Sequence, residues 1–142
     1  MLRAIPIEEL ESSIPATLED VIKHQDVMRL QLATDADLAT LSSRVLDGVL
    51  KMTLRDWYVI KAIDGKTGKR VALTLFGTAA DAGGSWNTSA LVARQGNRFL
   101  TSSGAIYECA GSQSSELDLL HVCAWLNHLG IGERLGVAPF FL

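Results

Sequence analysis

Four residues with soft side chains, Cys109, His121, Cys123 and His128, are the first place to look for chemistry. A zinc ion needs three or four such ligands converging tetrahedrally. His121 and His128 are seven apart and share a helix face, but Cys123 is two from His121 and points elsewhere, and no C-x-x-C pair is present. The pattern predicts no metal site. A Cys-His nucleophilic pair needs a thiolate activated by an imidazole in an accessible cleft. Cys109 falls in a strand and Cys123 in an apolar helix, so both read as small buried hydrophobes. His24 lies on the polar side of its segment and reads as solvated. No acid/base set converges, and the expectation is no catalytic residue, no metal and no cofactor.

Two hydroxyl-rich stretches, Asn87-Thr88-Ser89 and Ser102-Ser103, lie near strand ends, where such side chains usually bond to local backbone. Ala82-Gly83-Gly84-Ser85 is no phosphate loop, since it lacks the G-x-x-x-x-G-K-[ST] lysine and a strand-to-helix junction. The remaining candidate is a basic cluster at two turns, Lys66, Lys69 and Arg70 with Arg94 and Arg98. With Trp57, Tyr58, Trp86, Phe99 and Tyr107 in neighbouring strands, its composition is that of a single-stranded nucleic-acid platform. A sequence pI of about 5.5 argues against phosphate-backbone binding, and an acidic protein patch, including another copy's helical part, is at least as good a partner for the basic cluster.

These residues depend on the stretch 57–111, which reads as successive hairpins. Trp57–Ile63 is β-branched and aromatic, Asp64-Gly65-Lys66-Thr67-Gly68 supplies a turn with two glycines for positive φ, and Val71–Phe76 returns. In the return strand Val71, Leu73 and Leu75 share an apolar face, and Arg70, Ala72, Thr74 and Phe76 a mixed one. Trp86–Arg94, Arg98–Ser102 and Ala105–Cys109 complete an expected antiparallel meander of four or five strands. In that order the first and third turns lie at one end, so the five cations gather there.

Upstream, Thr17-Leu18-Glu19-Asp20 and Thr34-Asp35-Ala36-Asp37 carry capping-box patterns. Leu18, Val21, Ile22, Gln25, Met28 and Leu32 follow helical spacing, and so do Leu38, Leu41, Val45, Val49 and Met52. Two amphipathic helices, over 16–32 and 34–52, are predicted to form a hairpin covering one sheet face; Ile7–Leu10 adds a short turn. Gly111-Ser112-Gln113-Ser114 reads as a polar linker, and Leu117–Leu129, apolar on nearly every side, as a buried C-terminal helix stopped by Gly130. The end, Pro139-Phe140-Phe141-Leu142, is apolar where chain ends are usually polar. Its rings either dock on the core or anchor a neighbour.

The fold class expected is therefore α+β in one domain: a helical part (1–56), an antiparallel sheet (57–111), and a C-terminal helix with an apolar tail (112–142). A chain of 142 residues has room for one core. With 48% hydrophobic and 20% charged residues it excludes disorder. A mean hydropathy of +0.20 suggests apolar surface covered by a partner or a second copy. No window reaches 18 uninterrupted apolar residues and the N-terminus has no secretory core, so the reading is no membrane span and a cytoplasmic location with free thiols. Net charge is −3 but segregated. Residues 1–56 carry six basic and ten acidic side chains, residues 57–111 six and three, and residues 112–142 one and three.

Trp86-Asn87-Thr88-Ser89 together with Thr101-Ser102-Ser103-Gly104-Ala105-Ile106-Tyr107 resembles a pattern in small proteins of phages and other mobile elements. The resemblance implies stoichiometric binding to a host machine. Together with the segregated charge and apolar end, it favours a non-enzymatic interaction protein, an inhibitor or regulator of a protein complex, and a homodimer. The expected contact residues are Lys66, Lys69, Arg70, Arg94, Arg98, Phe140, Phe141 and Leu142. The alternatives are a nucleic-acid or nucleoprotein binder through the basic turns, and a small enzyme or ligand carrier with a pocket between the sheet and the C-terminal helix around Cys109, His121 and Tyr107.

Overall fold

The computed structural model describes residues 7–142, without the side chains of Glu9 and Leu10. Its elements are α1 (Ile7–Ser13), a 3-10 turn at Leu18–Asp20, β1 (Met28–Leu32), α2 (Asp35–Leu38), β2 (Ser42–Ser43), β3 (Leu50–Asp64), β4 (Arg70–Ala79), β5 (Ser85–Gln95), β6 (Arg98–Thr101), β7 (Ile106–Cys109), α3 (Leu119–His128) and α4 (Gly132–Leu135).

The meander forms as the turns require, and then closes. β3, β4, β5, β6 and β7 pair antiparallel in succession, and β7 pairs parallel with β3. Alternating directions over five strands make the first and last point the same way, so closure has to create one parallel pair. The seven-stranded sheet is therefore mixed and not purely antiparallel. β1 extends it beside β3, and β2 pairs parallel with β5. β4 and β5 separate beyond Thr74↔Ala90, and β2 pairs with β5 at Ala93 and Arg94, beyond that point.

The expected N-terminal helical hairpin is absent. Both capping boxes form, with Asp20 and Asp37 accepting from the Thr17 and Thr34 backbone at 3.0 and 2.8 Å, but each starts only a single turn. Met28, Leu30 and Leu32 also alternate, and β3 offers them an unpaired edge, registering Leu30 against Ala62. Tertiary ladder pairing thus outweighs local spacing. In the second predicted helix Val45 and Val49 are 70% and 94% exposed, and the sheet starts at Leu50 instead of Trp57.

Two apolar layers result. Leu54, Trp57, Val59, Leu73, Leu75, Phe99, Tyr107 and Cys109 form the inner cluster, with Leu38 of α2. Tyr58, Ile60 and Phe76 on the outer face are covered by Val122, Cys123 and Leu126 of α3 and by Leu135 and Val137. Trp57 to Ile60 are consequently all buried, where a half-buried strand was expected. Leu54 and Trp57 reach the same inner cluster because the strand bulges between Arg55 and Tyr58, with Asp56 at φ +48°. At the β3–β4 turn only Gly68 has positive φ; Gly65 is needed for space, since a Cβ there would lie 2.4 Å from the Gln25 carbonyl oxygen.

Candidate binding groove

A heptad stripe on α3, His121, Ala124, Trp125 and His128, faces a groove of about 780 Å³. The opposite wall is the outer face of β4 and β5, including Ala72, Thr74, Asn87 and Ala90, and Leu129 and Leu142 form the rim. The stripe is held from below. Phe76 stacks on its cross-strand partner Tyr58 at 5.4 Å and meets the His121 and Trp125 rings edge-on at 5.5 and 5.2 Å. It is held at its start by Asp118, whose Oδ1 accepts from the His121 backbone N–H at 3.1 Å, and whose own N–H donates to the Tyr58 hydroxyl at 3.2 Å.

Among the described residues, no Asp, Glu, Lys or Arg side chain lines this groove. Burial lowers the His121 pKa against the opposing pull of Asp118, so the ring is neutral near pH 7. Its Nε2 donates to Asn87 Oδ1 at 3.0 Å. The groove is a largely apolar slot with a few polar groups, the usual make-up of a binding site.

The predicted contact residues are distributed differently from the expectation. Lys66 and Lys69 are exposed on their turn, whose backbone donates to Asp64 Oδ1 from Lys66 and Thr67 at 2.8 and 3.2 Å. Arg70 and Arg98 hold a strap, residues 40–46, with their side chains, while Arg94 meets it only by strand pairing and donates its Nε to the Gly96 carbonyl at 2.8 Å. Arg70 donates to Thr40 Oγ1, Ser43 pairs with Arg94, and Arg98 donates to the Leu46 carbonyl at 3.1 Å. Gln95 Oε1 accepts from Leu46 N–H at 2.6 Å, and the Arg94 guanidinium lies 5.2 Å from the Phe99 ring centre. Of the tail, Phe141 packs against the outer cluster, and Asn127 Nδ2 donates to the carbonyls of Ala138 and Phe141 at 3.0 and 2.8 Å. Phe140 is half-buried and Leu142 is 79% exposed.

The groove lies between the sheet and the C-terminal helix, where the pocket was expected, but of Cys109, His121 and Tyr107 only His121 lines it, because the sheet separates the other two from α3. Cys109 and Tyr107 are in the inner cluster and His121 is outside. Burial pushes the Cys109 thiol up to about 12 and that of Cys123 up to about 11. No group of three or more metal-ligating side chains occurs among the described residues. No described helix is long and apolar enough to cross a membrane.

The hydroxyl stretches bond across strands more than locally. Ser89 Oγ donates to Ser103 Oγ at 3.0 Å, Trp86 Nε1 to the Tyr107 hydroxyl at 3.2 Å, and Leu75 N–H to Thr88 Oγ1 at 3.3 Å. Thr74 was legible only as a polar residue on the face it shares with Ala72 and Phe76, and its place in the groove results from the packing of α3. Compared with known proteins, the chain matches no family model, no curated protein and no solved structure.

Proposed function

We propose that the protein is a non-enzymatic interaction module that docks a protein partner in the groove between α3 and the β4–β5 face. One observation carries this reading: the groove has no Asp, Glu, Lys or Arg side chain among the described residues of its lining, and two leucines on its rim, Leu129 and Leu142, are 55% and 79% exposed. Exposed apolar surface around a concavity is what a partner covers. Of the arginines expected to make the contact, Arg70 and Arg98 donate to the strap and Arg94 donates to the Gly96 carbonyl of its own turn, which weakens the nucleic-acid alternative and leaves Lys66 and Lys69 as steering charges. Thiols with raised pKa values, buried on opposite sides of the sheet, are poor nucleophiles. The reading agrees with stoichiometric regulation of a host complex in a cytoplasm that keeps both thiols reduced. Without a partner, the same rim would pair two copies.

The test is comparative cross-linking in lysate. A protein captured by the wild type should be lost with Ala90→Arg, which puts a charge on the groove wall, and kept with Lys66→Glu/Lys69→Glu. The opposite pattern, or binding that falls steeply with salt and is lost on reversal of Arg94 and Arg98, would overturn the proposal.

A further inference from the structure

Thr74 is the residue in the groove whose chemistry is incomplete. It is 4% exposed, and its hydroxyl has no hydrogen-bond partner among the described residues. No fully enclosed side-chain nitrogen or oxygen among the described residues is left without a partner, so this hydroxyl is the part of Thr74 still open, and the groove is what it opens onto. The Trp125 indole N–H and the His128 ring, on the facing wall, likewise have no hydrogen-bond partner among the described residues.

These observations restrict the occupant by elimination. A lysine, arginine, aspartate or glutamate inserted here would meet no Asp, Glu, Lys or Arg side chain among the described lining residues to pair with. A leucine or phenylalanine would fill the space but leave the Thr74 hydroxyl desolvated and unpaired. The small residues Ala72, Ala90 and Ala124 leave room between the walls, and the Trp125 and His121 rings offer aromatic contact beside Phe76. An aromatic ring with a hydroxyl at its tip satisfies both requirements. Resting on the reading of the groove as a protein-docking site, we infer that the partner inserts a tyrosine side chain, with its ring against Trp125 and its hydroxyl on Thr74.

The experiment is an ¹H–¹⁵N titration of the full chain with N-acetyl-tyrosinamide and, separately, N-acetyl-phenylalaninamide. The Trp125 indole resonance, assigned with Trp125→Phe, is the reporter. The tyrosine amide should move it with an apparent Kd about five-fold lower than the phenylalanine amide, the worth of one neutral hydrogen bond. Thr74→Val should abolish that preference and leave the melting temperature unchanged, because no internal bond is lost; Thr74→Ser should keep the preference. A resonance that neither amide moves, equal affinities in the wild type, a preference surviving in Thr74→Val, or a large loss of stability in that variant would each overturn the inference. If it fails while Ala90→Arg still abolishes partner capture, the groove reading stands without the tyrosine. If Ala90→Arg has no effect either, both fall.

Discussion

Ala33 N–H donates directly to the Val59 carbonyl at 2.8 Å, and Gln113 bridges the reciprocal ladder bond with its side chain. Its Oε1 accepts from the Val59 N–H at 2.7 Å and its Nε2 donates to the Ala33 carbonyl at 2.9 Å, both backbones being buried. Gln113→Ala leaves a buried donor and a buried acceptor unpaired, and a loss of about 2–3 kcal/mol is expected in urea unfolding. Nothing in the sequence set this residue apart, because a glutamine in a polar segment carries no sign of what lies across from it. The ionisable residues were more legible: Cys109 and Cys123 read as buried thiols, and they are. Their effect on stability has a definite sign. The unfolded chain ionises these thiols above about pH 8.5, while the folded chain keeps them protonated, so it holds the extra protons and stability falls as pH rises. His121 acts at the other end, since its folded pKa is lowered and the unfolded ring takes up a proton below about pH 6.5 first. Stability is expected to fall there as pH falls. Denaturant midpoints across the pH range should show both limbs, the alkaline one flattened in Cys109→Ser/Cys123→Ser and the acid one in His121→Gln.

At the scale of elements, the bulge in β3 decides which side chains face inward, and Gly77 lies close against it. A Cβ at Gly77 would come within 3.1 Å of the Leu54 Cβ and 3.2 Å of the Arg55 carbonyl oxygen. Asp56 itself is left-handed, a conformation that Asp tolerates and a β-branched residue does not. Asp56→Val should therefore lose about 1–2 kcal/mol and Asp56→Gly should not, as thermal melts would show. Equal melting temperatures for the two variants would mean the bulge relaxes without strain. The hairpins were readable in the sequence because turn residues and alternating apolar runs occur locally, and five of the seven strands are deducible from them. The helical hairpin was misread because cap signatures report where a helix starts and carry no information about its length. Thr17 and Thr34 cap as predicted, but the path after the Thr17 turn is set by the sheet edge at residues 60–64, and the path after the Thr34 turn by pairing with β5 and β7, which no local pattern announces. The groove shared this fate: His121 and His128 were visible as one helix face, while the sheet wall opposite appears only once β4 and β5 are laid under α3.

For the molecule as a whole, the tail has two separable jobs. Phe141 is turned inward and its carbonyl is held by Asn127, whereas Leu142 points outward at the groove rim. Ending the chain at Pro139 removes both, so a loss of stability of about 1–2 kcal/mol from the partly buried ring should accompany any change in mass. Leu142→Asp removes only the exposed contact and should leave the melting temperature where it was. If two copies cover each other's rims when no partner is bound, light scattering will give a dimer for the intact chain that weakens on dilution, and a monomer for Leu142→Asp. The net charge of −3 opposes association, but none of the Asp, Glu, Lys and Arg side chains that make it up lines the groove or its rim among the described residues. Added salt should therefore strengthen the dimer slightly by screening the rest of the surface, the opposite of what pairing through the basic turns would give. An intact chain that is monomeric at every concentration would end the self-association proposal and leave the groove to a heterologous partner alone.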